Sequence, residues 1–309
     1  MPRGPARPAA ERTRSGPLND LSGTEWIRFT RSWFVANPPP RSAAERRHPA
    51  KFPERLADEF LRFFTRKGMW VLDPFAGTGS TLVSARRLGR HAIGIELVPE
   101  FARLAERRAA LAGDDRTRSL VLVADSRRIT ELWRDHALPP VQCVLTSPPY
   151  WDVLSKGRGG VRSVHRRRAE SGLATVYSGD SRDLANLHDY DAFVTALVGI
   201  LEQAAAVLEP RRYMIVVLQN LRDETGRIRR LAWDVAARLE GERLAFQGER
   251  IWCQDSKPLG IWGYPSTFVP NYHHHYCLIF RRRAPGPEEG PAPTGPSGPR
   301  TPGASPPPT

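Results

Sequence analysis

A tight turn at the end of a short apolar run carries the first chemistry that the residues suggest. Val71-Leu72-Asp73-Pro74-Phe75-Ala76-Gly77-Thr78-Gly79-Ser80-Thr81 reads as a strand, a glycine-containing turn and the start of a helix. Glycines there let a ligand approach the backbone at a strand's carboxyl end, where open α/β sheets bind ligands. The dinucleotide pattern GxGxxG fails, because Leu82 stands where its third small residue belongs. Instead Asp73 precedes the turn, and a carboxylate repels a pyrophosphate but attracts an ammonium such as that of an amino acid. By itself such a turn also fits an ordinary loop.

Two further carboxylates end the next apolar runs. Glu96 follows His91 to Ile95 and suits both hydroxyls of a ribose, or else a solvated strand end. Asp125, in Val123-Ala124-Asp125-Ser126, suits an adenine amino group or a helix N-cap. Acidic residues ending successive strands point together to an adenosine-plus-amino-acid ligand, S-adenosylmethionine. A fourth apolar run leads into Thr146-Ser147-Pro148-Pro149-Tyr150. Two prolines fix φ and remove two donors, so the chain stays extended with its carbonyls outside any ladder, and Tyr150 offers a flat face to a planar base. That combination is a cradle for an exocyclic amine.

These residues need a sheet to hold them. Met69 to Leu72, His91 to Ile95, Leu120 to Val123 and Val141 to Leu145 read as buried parallel strands. Helical stretches at Ser80 to Leu88, Pro99 to Leu111 and Ile129 to His136 separate them and make repeated βαβ units. An amphipathic stretch from Phe52 to Thr65, with Pro53 in its first turn, precedes the first strand. Later come a helix from Tyr190 to Leu208, a strand from Tyr213 to Leu218, a helix from Ile228 to Leu239, and runs at Leu244 to Trp252 and His274 to Phe280 that pair as an antiparallel edge. The expected fold is α/β, a Rossmann-like doubly wound mixed sheet of about seven strands with an antiparallel C-terminal edge hairpin. Residues 1–20 and 284–309, rich in Arg, Pro and Gly, read as disordered tails around a catalytic domain of residues 21–283.

Motif by motif, the chain resembles the amino-methyltransferases of DNA, which make N4-methylcytosine or N6-methyladenine. Asp73 to Gly79 resembles their cofactor loop, Ser147-Pro148-Pro149-Tyr150 their catalytic loop, and His48-Pro49-Ala50-Lys51-Phe52-Pro53 the segment that contacts the methionine part of the cofactor. The resemblance implies that Asp73 holds the methionine ammonium, Glu96 the ribose and Asp125 the adenine. Lys51, Phe52, Pro53, Pro74, Phe75, Gly77, Thr78, Gly79, Ser80, Thr81, Leu97, Ser126 and Thr146 complete the implied S-adenosylmethionine site. Tyr177-Ser178, Asp183-Leu184 and the ending from Tyr272 to Phe280 share the family's style without an assignable role. The cofactor loop precedes the catalytic loop, so a circular permutation relates this chain to relatives with the opposite order.

Ser147 as first residue of the tetrapeptide resembles the cytosine-N4 enzymes, where adenine-N6 enzymes usually carry Asp or Asn; N6-adenine, RNA and protein glutamine are the alternative targets. A C5-cytosine enzyme needs a nucleophilic cysteine. Cys143 lies inside a strand and follows Gln142, which excludes that route. Trp151 to Leu187 lacks any period, and with Trp151, Lys156, Arg158, Arg162, Arg166, Arg167 and Arg168 it reads as a DNA-contacting, target-recognition insertion.

Composition agrees with a polyanionic partner. Among 309 residues, 46 Lys plus Arg against 33 Asp plus Glu give a formal charge of +13 and a pI near 10.4. Lys stands only at 51, 67, 156 and 257, so a GC-rich genome accounts for the choice of Arg but not for the excess of charge. No run approaches the roughly 18 apolar residues of a membrane span, and no apolar segment follows Met1, so the expectation is a bacterial cytoplasmic protein acting at the nucleoid. Cys143, Cys253 and Cys277 have no metal or disulfide spacing. His273, His274 and His275 alternate faces on a strand and cannot converge, so no metal is expected. Duplex DNA is the expected partner, with a separately acting restriction endonuclease and a homodimer as further partners.

Overall fold

The computed structural model describes residues 17–37, 52–151, 180–223 and 225–284. Its centre is a parallel unit in which each predicted strand forms within a residue of its expected bounds: β2 (Trp70–Asp73), β3 (His91–Glu96), β4 (Ser119–Val123) and β5 (Val141–Thr146). With β1 (Trp33–Val35), β6 (Leu208–Leu218), β9 (Leu244–Cys253) and β10 (His274–Arg282) they make one eight-stranded sheet in the order β1-β9-β10-β6-β5-β2-β3-β4. A two-stranded ribbon, β7 (Leu221–Arg222) and β8 (Ile228–Arg229), lies beside it.

Strand alternation sorts the core into two faces. Leu72, Val144, Val216 and Leu218 face α5 (Ile129–Asp135), α6 (Tyr190–Val207) and α7 (Leu231–Leu239), whereas Val71, Cys143, Leu145, Ile215 and Val217 face α2 (Glu54–Phe64) and α3 (Ser80–Arg87). Between α3 and β4, α4 (Pro99–Ala112) completes the βαβ units. From β2 the chain winds outward through β3 and β4, then returns to β5 on the other side, so the carboxyl ends of β2 and β5 flank the topological switch where α/β sheets bind ligands.

Several expectations need correction. The sheet has eight strands, not seven, and the hairpin of β9 and β10 is not the edge, because β1 pairs parallel to β9 outside it. Three residues are too few to show a period; β1 is held by the bonds from Ile251 N to Ser32 O at 2.7 Å and from Ala36 N to Cys253 O at 3.1 Å. Pro53 is the N-cap of α2 and not part of its first turn. The helix expected from Ile228 begins at Leu231, because Ile228 and Arg229 pair with β7. Residues 17–20, expected in a tail, belong to the fold: Asn19 is buried and donates from Nδ2 to Phe63 O at 2.5 Å, fastening the segment before α1 (Gly23–Phe29) to α2. One helix, α6, is by length and composition apolar enough to cross a membrane, contrary to the reading of the sequence. Its Phe193, Leu197, Leu201 and Ala204 are instead spent on the sheet's core.

Candidate active site

Asp73 is 1 % exposed. Its Oδ1 accepts from Thr146 Oγ1 at 2.6 Å and from Phe75 N at 3.1 Å, and its Oδ2 from Thr81 Oγ1 at 2.7 Å. Burial pushes its pKa up to about 6, against the pull of these three donors. The carboxylate thus ties β2 to β5 and to the first turn of α3. Asp73, Thr81 and Thr146 stand behind the residues that line the cavity in front of them. Gly79 does not line it either: at φ +84°, any Cβ would come within 2.9 Å of the Ala105 backbone on α4.

The cavity, of about 360 Å³, opens at the ends of β2, β3 and β5 and has the size of a small-molecule site. Phe52, Pro74, Phe75, Gly77, Thr78 and Ser80 form one wall, as expected for the glycine turn and the segment before α2. Gly94 in β3 lets that turn settle, since a Cβ there would meet Ala76 and Leu82 at 2.9 Å. Glu96 ends β3 against the same wall: Oε2 accepts from Gly77 N at 2.8 Å and Oε1 from Val98 N at 2.9 Å. Its burial, the largest influence, and the nearby Asp73 and Asp183 carboxyls hold its pKa up to about 7. Ser80, the first residue of α3, lines the cavity and keeps a buried Oγ without a hydrogen-bond partner.

The N-cap reading of Asp125 is realised, and the residue also borders the cavity. It lines the cavity beside Leu97 and Ser126, and it also N-caps the short 3-10 turn Ser126–Arg128 through Arg127 N at 2.9 Å. Ser126 donates from Oγ to Pro74 O, fastening this turn to the glycine loop. Ser147, Pro148, Pro149 and Tyr150 all line the cavity opposite the loop. Trp151 does not: it is 9 % exposed, donates from Nε1 to Leu187 O at 2.9 Å and packs edge-on against Tyr190. Pro53 also stays out of the lining. Lys51, Lys156, Arg158, Arg162, Arg166, Arg167 and Arg168, like Tyr177 and Ser178, lie outside the described residues.

Sequence reasoning missed the wall supplied by the C-terminal hairpin. His275 and Trp252 stack at a centroid distance of 4.4 Å and 23°, and both line the cavity, with Gln219, Gln254 and Lys257 around them. The indole Nε1 donates to Ala36 O at 2.7 Å, so β1 fixes the stack from behind. Tyr150 Oη lies 3.0 Å from His275 Nδ1. Burial, with Lys257 and His274 nearby, pushes the His275 pKa down to about 3, so the ring is neutral. The alternation that ruled out a three-histidine metal site also turns His275 toward this face, a consequence the strand pattern contained. Among the described residues, no group of His, Cys, Asp and Glu is arranged to hold a metal ion. At the far side, Asp183 caps the turn Leu184–Asn186 and lines the cavity, so the last residues of the expected insertion belong to the site.

Comparison with known proteins finds likeness over part of the chain. The family model described as DNA methylase matches residues 11–107, a span that holds the glycine loop and Glu96 and stops before Ser147. The type II methyltransferase M2.DpnII of Streptococcus pneumoniae is 42 % identical over 62 residues, 20 % of this chain and 23 % of that protein. The type II methyltransferase M.BglI of Bacillus subtilis is 35 % identical over 91 residues, 29 % of this chain and 25 % of that one. The chain thus spans about a quarter of the length of these relatives. Among solved structures, TrmN from Thermus thermophilus matches with a TM-score of 0.47 and 17 % identity, over 78 % of this chain and 52 % of that one.

Proposed function

We propose that this chain, a member of the DNA methylase family through residues 11–107, is an S-adenosylmethionine-dependent DNA methyltransferase acting on the exocyclic N4 amine of cytosine. The observation that carries the reading is one cavity in which the loop after β2 and Glu96 face Ser147-Pro148-Pro149-Tyr150. When bound, S-adenosylmethionine supplies a sulfonium methyl, already a strong electrophile. The residues present fit that ligand. Glu96 is an acceptor pair for the ribose hydroxyls, and Ser80 Oγ, unpartnered at the start of α3, is a donor for the amino-acid carboxylate. Asp73, behind the loop, supplies negative potential to the ammonium without contact. Asp125 and Leu97 border the adenine end.

A base inside a duplex cannot reach this cavity, so the target is flipped out at a cost of about a few kcal/mol. Tyr150 stacks on it. The amine donates hydrogen bonds to Ser147 Oγ and to the Pro148 carbonyl, which favours a pyramidal nitrogen whose lone pair is free to attack. Catalysis is then alignment and exclusion of water, with no covalent enzyme intermediate. Ser147, in place of Asp or Asn, is what supports cytosine over adenine. The basic stretch from Lys156 to Arg168 supplies phosphate contacts, and a separately acting endonuclease fits the type II relatives. The test is methyl transfer from labelled S-adenosylmethionine to unmethylated duplex DNA by the wild type and Ser147→Ala. An expected loss of about 10²-fold in the variant, with cofactor binding kept, supports the role of the hydroxyl; full activity of the variant overturns it.

A further inference from the structure

Tyr150 and His275 join two parts of the chain 125 residues apart, the catalytic loop and the strand β10. Ser147 lines the same cavity; burial pushes the Tyr150 pKa up and the Ser147 hydroxyl pulls against it. When the neutral imidazole carries its proton on Nε2, Nδ1 accepts from the phenol, and the phenol oxygen is left to accept from Ser147. Ser147 Oγ in turn is left to accept from the target amine. Every donor points away from the cavity centre and toward β10.

We infer that Ser147, Tyr150 and His275 form a proton path that carries the amine's surplus proton to the C-terminal hairpin, with His275 as a positioning and proton-accepting residue. The inference rests on the methyltransferase reading. As the nitrogen–carbon bond forms and the carbon–sulfur bond breaks, the nitrogen gains the positive charge that the sulfur loses. The amine then gives one proton to Ser147 Oγ, Ser147 gives its own to Tyr150 Oη, and Tyr150 gives its own to His275 Nδ1. The products are a neutral methylated amine and an imidazolium. A ring-conjugated amine is so weak a base that even a depressed imidazole takes its proton. The stacked indole of Trp252, at 4.4 Å, steadies the imidazolium through its π face; once the product has left, burial and the nearby Lys257 disfavour the charged ring, and return of the Nδ1 proton through Tyr150 and Ser147 to water in the open cavity restores the Nε2–H tautomer.

Single-turnover methylation by the full chain, with S-adenosylmethionine affinity measured separately, tests the path. Tyr150→Phe keeps the ring and is expected to slow methyl transfer by about 10²-fold with affinity unchanged. His275→Asn presents an oxygen where Nδ1 stood, so it still orients the phenol but takes up no proton; it is expected to be as slow as Tyr150→Phe, and the double variant no slower than either. Full activity in His275→Asn, or additive losses in the double variant, overturns the path. A second readout needs no turnover: the nitrogen-15 spectrum of the wild type identifies the His275 tautomer, with protonation at Nε2 expected, and protonation at Nδ1 reverses the polarity and sinks the inference. A wild type that shows this tautomer yet methylates no nucleic acid refutes the methyltransferase reading instead.

Discussion

The carboxylate of Glu96 closes on the backbone of Gly77, 19 residues earlier in the chain, with Oε2 at 2.8 Å from the Gly77 amide. One side chain therefore shapes the glycine loop and presents its remaining lone pairs to the cavity. Because burial holds its pKa up to about 7, the charge needed to grip a ribose is only partly present at neutral pH in the free protein.

Cofactor affinity should accordingly depend on pH. A diol that donates to Glu96 binds the ionised form, so the S-adenosylmethionine Kd is expected to rise about tenfold per unit as pH falls below about 7, and binding should release a proton. Calorimetry in buffers of different ionisation enthalpy measures both. Glu96→Gln should bind weakly with no such slope.

Stability of the ligand-free protein should run the opposite way. The folded Glu96 keeps its proton up to about 7, whereas the unfolded chain ionises near 4.5, so the folded state binds more protons in that window and loses stability as pH rises through it. Asp73, held up to about 6 from 3.8, acts in the same direction. Urea unfolding of the wild type relative to Glu96→Gln is expected to fall by on the order of 3 kcal/mol between about pH 4.5 and 7. A rising difference would contradict the burial of this carboxyl.

Removing Asp73 should act on the fold before the chemistry. Asp73→Ala leaves the Thr81 and Thr146 hydroxyls and the Phe75 amide without their acceptor, and a loss of about 2–4 kcal/mol is expected in denaturant titrations. Gly79→Ala forces a Cβ to 2.9 Å from the Ala105 backbone at φ +84°, with an expected loss of at least about 2 kcal/mol and of cofactor binding together.

Arg166, Arg167 and Arg168 come from the sequence alone. Neutralising the three should lower the slope of log affinity against log salt by about 2 to 3 if each meets a phosphate. An unchanged slope in DNA-binding titrations removes them from the interface.

The parallel core was legible because buried strands between amphipathic helices leave a strong pattern, and the residues at the strand ends follow from it: Glu96, Asp125 and Ser147 all reach the cavity. Asp73 has the spacing of a ligand residue, but whether a carboxylate faces a cavity or two threonine hydroxyls depends on Thr81 and Thr146 arriving from other elements. The burial of Trp151 likewise depends on Leu187 and Tyr190, which its own neighbours in sequence do not reveal. His275 and Trp252 were missed because their roles arise from the pairing of β9 with β10 and of β1 with β9, contacts between residues more than 200 positions apart for Trp252 and Ala36. Three-residue β1 carries no periodicity of its own.

Ser147 is proposed to receive the exocyclic amine that is methylated. The most direct measurement incubates the protein with S-adenosylmethionine and unmethylated duplex DNA, digests the DNA to nucleosides and identifies the modified one by mass spectrometry. The account expects N4-methylcytosine. N6-methyladenine would contradict the assignment of the base to Ser147, and duplex DNA left unmethylated by a protein that binds the cofactor would contradict the account as a whole.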